Sequence, residues 1–196
     1  ISLGHEQPWM DRARTFDTTF EALTASRALG ISDFIFASSS AVYGENPVFP
    51  TPENAKNMHP ISIYGAGKLA SEAYISAFVA NYGLRAWVFR FGNVVGRKLT
   101  HGVIYDFIRK LRKIPTELTV LGNGRQSKTY IDVGDCARGI LMAYDFYRGD
   151  LTGELALSDS PHAERFRVFN LSTQGSTTVR EIAEETVRAV TGGKAR

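Results

Sequence analysis

The chain has 196 residues, 43% of them apolar, and 23 Lys and Arg against 20 Asp and Glu give it a formal charge of +3. So small and evenly spread a basic excess argues against nucleic acid as a partner, and no apolar run approaches membrane-spanning length, which argues against a membrane. The single cysteine, Cys136, excludes an internal disulfide and suits a reducing compartment, so a cytoplasmic setting is expected.

Phe16, Phe20, Leu23 and Ala28 recur at helical spacing, which predicts a helix over 8–29 closed by Gly30. The apolar run Phe34-Ile35-Phe36-Ala37 predicts a buried strand over 33–38 that opens into Ser38-Ser39-Ser40, the end at which open parallel sheets place ligands. Four prolines between 46 and 60 exclude regular structure there. A long helix is expected over 62–82, stopped by Gly83, followed by a buried strand over 85–91. Further on, a helix over 102–113 and strands over 118–121 and 128–131 precede a helix reaching about 147, capped by Asp132 or Asp135. A polar loop or insertion over 150–165 leads to a strand over 167–171. A last helix, 178–190, has Thr177 or Thr178 as its cap. Such alternation predicts an α/β fold with a parallel sheet covered by helices.

The chemistry concentrates in Tyr64-Gly65-Ala66-Gly67-Lys68. Tyrosine and lysine four residues apart project from one helix face, an ammonium beside a phenol. Using a phenol as a base near neutral pH requires stabilising its anion by about 4 kcal/mol. One positive charge about 4 Å away supplies roughly that at an effective dielectric of ~20. A serine hydroxyl from the preceding strand end could hold a substrate hydroxyl, so the residues read as alcohol oxidation chemistry. Other groups read more plainly. Cys136 suits a small buried apolar position on a helix. His5, His59, His101 and His162 lack metal-ligand spacing, so no metal is expected. Arg109, Lys110, Arg112 and Lys113 suit a solvated face at a helix C-terminus, where the dipole favours cations.

Residues 34–44, 64–68 and Arg90-Phe91-Gly92-Asn93-Val94-Val95-Gly96 resemble the extended short-chain dehydrogenase/reductase family. The branch they are most similar to is the nucleotide-sugar epimerases and dehydratases of the UDP-glucose 4-epimerase type. Leu121-Gly122-Asn123-Gly124-Arg125-Gln126, Tyr130-Ile131-Asp132-Val133-Gly134-Asp135 and Val168-Phe169-Asn170-Leu171 continue the resemblance in the same order. It implies a partial Rossmann-like doubly wound parallel sheet with part of a smaller α/β substrate-binding domain. Residues 1–96 would be the C-terminal half of the dinucleotide-binding domain and 97–165 mainly the substrate-binding domain with returning segments. Residues 166–196 would be a strand and helix returning toward the sheet. The family's opening glycine turn, G-x-x-G-x-x-G, and the acidic residue after it do not precede Ser39, so the chain is expected to be an internal fragment of a longer protein, inactive alone.

The resemblance also implies roles. Tyr64 would be the catalytic base, Lys68 its electrostatic partner and a ligand of the nicotinamide ribose, and Ser39 the partner of the reacting hydroxyl, with Ser38 and Ser40 as alternatives. The cofactor would be NAD, met by Ser38, Ser39, Tyr64, Lys68, Phe91 and Gly92. A nucleotide sugar, UDP-linked by analogy, would meet Asn93, Arg125 and Lys128. Lys128 stands where relatives carry an arginine, and a lysine offers a point charge without the bidentate fork. Thr15 stands where relatives have a cofactor-contacting asparagine, and Thr18 where a glycine is common. Dehydratases need an Asp-Glu pair after the hydroxyl residue, and this chain has Ser40-Ala41, so 4-epimerisation is the expected reaction. A nucleotide-sugar reductase or dehydrogenase, or a non-catalytic dinucleotide-sensing member of the fold, are the alternatives. The full-length protein would be a homodimer.

Overall fold

In the computed structural model, which describes residues 6–148 and 164–193, the first helix is present but not uniform. Helix α1 (Pro8–Arg12) starts on a proline, whose missing N–H is an orphan at that position anyway. It widens into a π-helical turn over Ala13–Asp17 and resumes as α2 (Thr18–Ala28). Gly30, in the left-handed region at φ 67°, turns the chain away, and the Ile31 N–H donates to Ser26 O at 2.9 Å.

Strand β1 (Asp33–Ser39) runs into a 3₁₀ turn over Ser40–Tyr43. The proline-rich stretch after it holds only a bridge between Gly44 and His59. Helix α3 (Ile63–Tyr82) starts on Ser62, whose Oγ accepts the Gly65 N–H at 3.0 Å, and stops at Gly83. Strand β2 (Arg85–Phe91) follows, then β3 (Asn93–Val95), α4 (Val103–Lys113), β4 (Ser127–Lys128) and β5 (Tyr130–Asp132). Helix α5 (Val133–Arg148) is capped by Asp132, whose Oδ1 accepts the Gly134 N–H at 2.8 Å. After it come β6 (Phe166–Leu171), β7 (Thr177–Thr178) and α6 (Val179–Thr191).

Two compact units divide the chain: residues up to Phe91 with Gly139–Leu171, and Gly92–Arg138 with the residues from Ser172 onward. In the first, β1, β2 and β6 form an all-parallel sheet in the order β1-β2-β6. Phe36, Val88 and Val168 lie in one register row and pack against Ile75 and Val79 of α3 and Leu23 of α2. On the opposite face Trp87 meets Tyr144 edge-on at 5.0 Å and Phe169 meets Tyr147 at 5.7 Å, so the C-terminal half of α5 covers it. Helices on both faces of a parallel sheet are the doubly wound α/β pattern the sequence predicts. In the second unit β3 pairs parallel with β5 and β4 antiparallel with β7. Its core sets Phe107 of α4 against Ile182 and Ala183 of α6.

Several elements differ from expectation. Residues 118–121 form no strand: Leu118 and Val120 pack onto the α4–α6 core, and extended backbone without a ladder partner is not a strand. The expected strand over 128–131 is two strands with different partners, split at Thr129, and neither β3 nor β7 is visible in the periodicity because strands of two or three residues carry too little of it. The segment expected over 166–196 also divides: β6 joins the sheet, whereas α6 packs on α4 in the other unit. Residues 150–163 of the expected polar loop lie outside the described residues, as do His5 and His162.

Candidate active site

The carboxyl end of β1 bends at Ser39. Its side chain turns back and accepts the Ala41 N–H at 3.2 Å, starting the 3₁₀ turn. With a lone pair so occupied, the Ser39 hydroxyl proton is left to donate. The first turn of α3 lies directly on this turn: a Cβ on Gly65 would come 2.6 Å from Ala41 O, so only glycine permits the approach. Tyr64, half-buried, precedes that glycine.

Lys68 follows one helical turn later. Its Nζ donates to Ala37 O at 2.8 Å and lies 4.7 Å from the centre of the Phe36 ring and 5.8 Å from that of Tyr64. One of three ammonium donors is thus held by the strand. Burial lowers the Lys68 pKa from the ordinary lysine value, and the Glu72 carboxylate opposes the shift.

Beneath this surface is a polar layer whose members are scattered along the sequence. Ser38, buried, donates to Glu72 Oε1 at 2.5 Å. Glu72 receives Arg90 as well, with Nη2 to Oε2 at 2.6 Å. Arg90 Nη1 donates to the Tyr43 hydroxyl at 2.9 Å, and that hydroxyl donates to Asn170 Oδ1 at 2.6 Å. Burial works against the Arg90 charge, but bonding to Glu72 outweighs it and its pKa stands above the ordinary arginine value. Burial raises the Tyr43 pKa, against the pull of Arg90. The available signals were a charged residue inside the apolar strand 85–91 and a carboxylate four residues beyond Lys68.

Thr15 is buried at the centre of the π-helical turn, abutting Gly67. Its hydroxyl donates to Asp11 O at 2.6 Å, and its carbonyl accepts from Ser71 of α3 at 3.2 Å. It ties the first helix to the helix of Tyr64 and Lys68.

The remaining predicted residues divide between the units. Phe91 ends β2 in the first, half-buried and stacked on Phe89 at 6.5 Å. In the second, Gly92 is wedged against Thr129 and Ser172, and a Cβ would come 2.6 Å from Thr129 Oγ1. Asn93 is exposed and donates its N–H and Nδ2 to Thr129 O, each at 3.0 Å. Arg125 and Lys128 are exposed, the first in a turn whose N–H bonds Asn123 Oδ1, the second on β4. Of the basic cluster, Lys110 donates to Thr119 O at 2.8 Å, while Arg109 and Arg112 join Lys98 and Tyr105 around an open cavity of about 440 Å³. Among the described residues no group of three or more His, Cys, Asp or Glu could hold a metal ion.

A parallel sheet with helices on both faces, and a Tyr/Lys helix at the carboxyl end of its strands, define a Rossmann-like protein of the extended short-chain dehydrogenase/reductase type. Residues 3–156 match the model of the NAD dependent epimerase/dehydratase family, and the chain belongs to that family. It is 30% identical to a UDP-glucose 4-epimerase of Corynebacterium glutamicum over 195 residues, 94% of this chain and 54% of that protein. A UDP-glucose 4-epimerase of Streptomyces lividans is 32% identical, over 89% of this chain and 52% of its own length. Among solved structures, a UDP-galactose 4-epimerase superposes with a TM-score of 0.84 at 34% identity, covering 97% of this chain and 58% of that one. Thermus thermophilus UDP-glucose 4-epimerase in complex with NAD gives a TM-score of 0.76 at 28% identity, over 99% of this chain and 60% of its own. The chain spans about half the length of the curated relatives it matches.

Proposed function

We propose that this chain carries the reacting groups of an NAD-dependent nucleotide-sugar 4-epimerase acting on a UDP-hexose. The observation that supports it most is the placing of the Lys68 ammonium 5.8 Å from the Tyr64 ring centre, at the strand end where Ser39 keeps a proton to donate. Tyr64 would take the proton of the sugar's C4 hydroxyl, Lys68 would stabilise the phenolate, and Ser39 would hold the reacting oxygen. NAD, when bound, supplies the hydride acceptor and donor. Tyr64 would then return its proton once the 4-keto sugar has turned its other face. The residues suit a nicotinamide riboside: Lys68 keeps two donors beyond the one given to Ala37 O, and Phe91 presents an apolar ring. Ser40-Ala41, inside the 3₁₀ turn, offers no carboxylate for dehydration.

In the same reading Ser38, Ser39, Tyr64, Lys68, Phe91 and Gly92 would meet the cofactor, and Asn93, Arg125 and Lys128 the substrate diphosphate. A homodimer is part of it. Phe20, Tyr74 and Tyr82 remain 42–49% exposed although Phe16, Phe20, Tyr74, Phe78 and Tyr82 form one edge-to-face seam along the π-helical turn, α2 and α3, a surface suited to a second copy. A cytoplasmic setting accords with the single reduced Cys136.

The test is made on the protein as it occurs naturally. With a UDP-hexose, the C4 epimers should interconvert without net NADH, and Tyr64→Phe should lower turnover by about 10²–10⁴-fold. Stoichiometric NADH release would point to a reductase or dehydrogenase instead, and near-normal turnover of the variant would remove Tyr64 from the chemistry.

A further inference from the structure

We propose that Glu72 and Arg90 are positioning residues for the reaction: as a buried pair they lock the end of β1 to the turn of α3 that carries Lys68, and so set Ser39 and Lys68 relative to each other. The proposal rests on the epimerase reading above.

Its basis is the register of the sheet. Ser38, Arg90 and Asn170 are direct partners in one row across β1, β2 and β6. Two residues earlier, on the same face, the row is Phe36, Val88 and Val168, part of the apolar core. The face therefore changes from apolar to polar at the last inward row before the strands end. Glu72 meets this row from α3 and Tyr43 from the 3₁₀ turn.

Every member is satisfied. Glu72 and Arg90 are each 4% exposed. The Arg90 Nε donates to both Glu72 oxygens at 3.1 and 3.2 Å, and Nη1 also donates to Glu53 O at 2.9 Å. Glu53 in turn accepts the Asn170 N–H at 2.8 Å, and Asn170 Nδ2 donates to Thr51 O at 2.8 Å. The network reaches the proline-rich loop and pins it to the sheet.

A buried ion pair is a poor device for stability, since apolar residues of similar volume often serve as well or better. It is a good device for geometry. Consecutive residues of β1 are held by consecutive turns of α3, Ala37 O by Lys68 and the Ser38 hydroxyl by Glu72, and the next residue is Ser39. A displacement of about 1 Å between reacting groups can cost about 10²-fold in rate.

The experiment compares the natural protein with Glu72→Gln and with the double variant Glu72→Met/Arg90→Met. The double variant removes the charges together and is expected to fold, with a melting midpoint below wild type because the Ser38 hydroxyl and Glu53 O lose their partners. Its kcat for UDP-hexose epimerisation should fall by about 10²-fold with KM unchanged, a split that a purely structural pair would not produce. Glu72→Gln, which strands the Arg90 charge, should lose both stability and kcat. A folded double variant with wild-type kcat would overturn the proposal. Should it not fold, Ser38→Ala leaves the ion pair in place, and full kcat in that variant would overturn it equally. A wild type that does not interconvert UDP-hexose epimers would instead remove the functional reading on which the proposal stands.

Discussion

Lys68 sits where burial and charge pull against each other. Its folded pKa lies below the ordinary value of 10.5, chiefly through burial, with Glu72 opposing. Between the folded value and 10.5 the unfolded chain binds more protons than the folded one, so stability rises with pH across that window. Lys68→Met, which keeps the stem and removes the charge, should therefore be more stable than wild type below the window. The advantage should narrow as pH approaches 10.5 and, for a partly exposed group, stay under about 1 kcal/mol. Urea unfolding of both proteins from pH 7 to 10.5 measures it, and a difference that widens with pH would contradict it. On the mechanism proposed above, the same substitution would also remove the charge that supports the Tyr64 phenolate, trading activity for stability.

At the scale of elements, α3 is held by its apolar stripe and α6 by its ends. Ile75 is fully buried between the sheet and α2, so Ile75→Ala should cost about 2–5 kcal/mol, read as a lowered denaturation midpoint at unchanged slope. Helix α6 opens with a complete capping box: Thr178 Oγ1 accepts the Glu181 N–H at 3.1 Å and Glu181 Oε2 accepts the Thr178 N–H at 2.7 Å. Thr178→Ala should cost about 1 kcal/mol. The bond to the Thr178 backbone holds the Glu181 pKa below its ordinary 4.5, so its contribution is present above that value and lost as pH falls through the lower folded one. A Glu181→Gln variant should differ from wild type at neutral pH and converge with it in acid, and a gap that persists in acid would place the effect elsewhere.

For the whole molecule, the 196-residue chain alone should bind NAD more weakly than micromolar. The pyrophosphate ordinarily rests on a glycine turn at a helix N-terminus, and that pattern does not occur in these residues. Calorimetric titration decides it, micromolar affinity being the contrary result. Among the described residues β1 pairs with β2 alone and Ile35 is 44% exposed, so the chain should also self-associate along that edge. Ile35→Lys should reduce light scattering, and no change would locate the association elsewhere.

The sequence by itself determined the alternation of strands and helices, because strands 33–38 and 85–91 and helix 62–82 are long enough to show their period and carry their own stops. It also determined the Tyr64/Lys68 spacing, which is local to one helix. Only tertiary structure decided what lies beneath that pair. Ser38, Arg90 and Asn170 are separated by 52 and 80 residues in sequence and become neighbours through strand register, so no window of sequence contains them. The π-helical turn at Thr15, the split at Thr129 and the pairing of α6 with α4 have the same cause. Each depends on what packs opposite, and a short segment has too little pattern of its own to announce its partner.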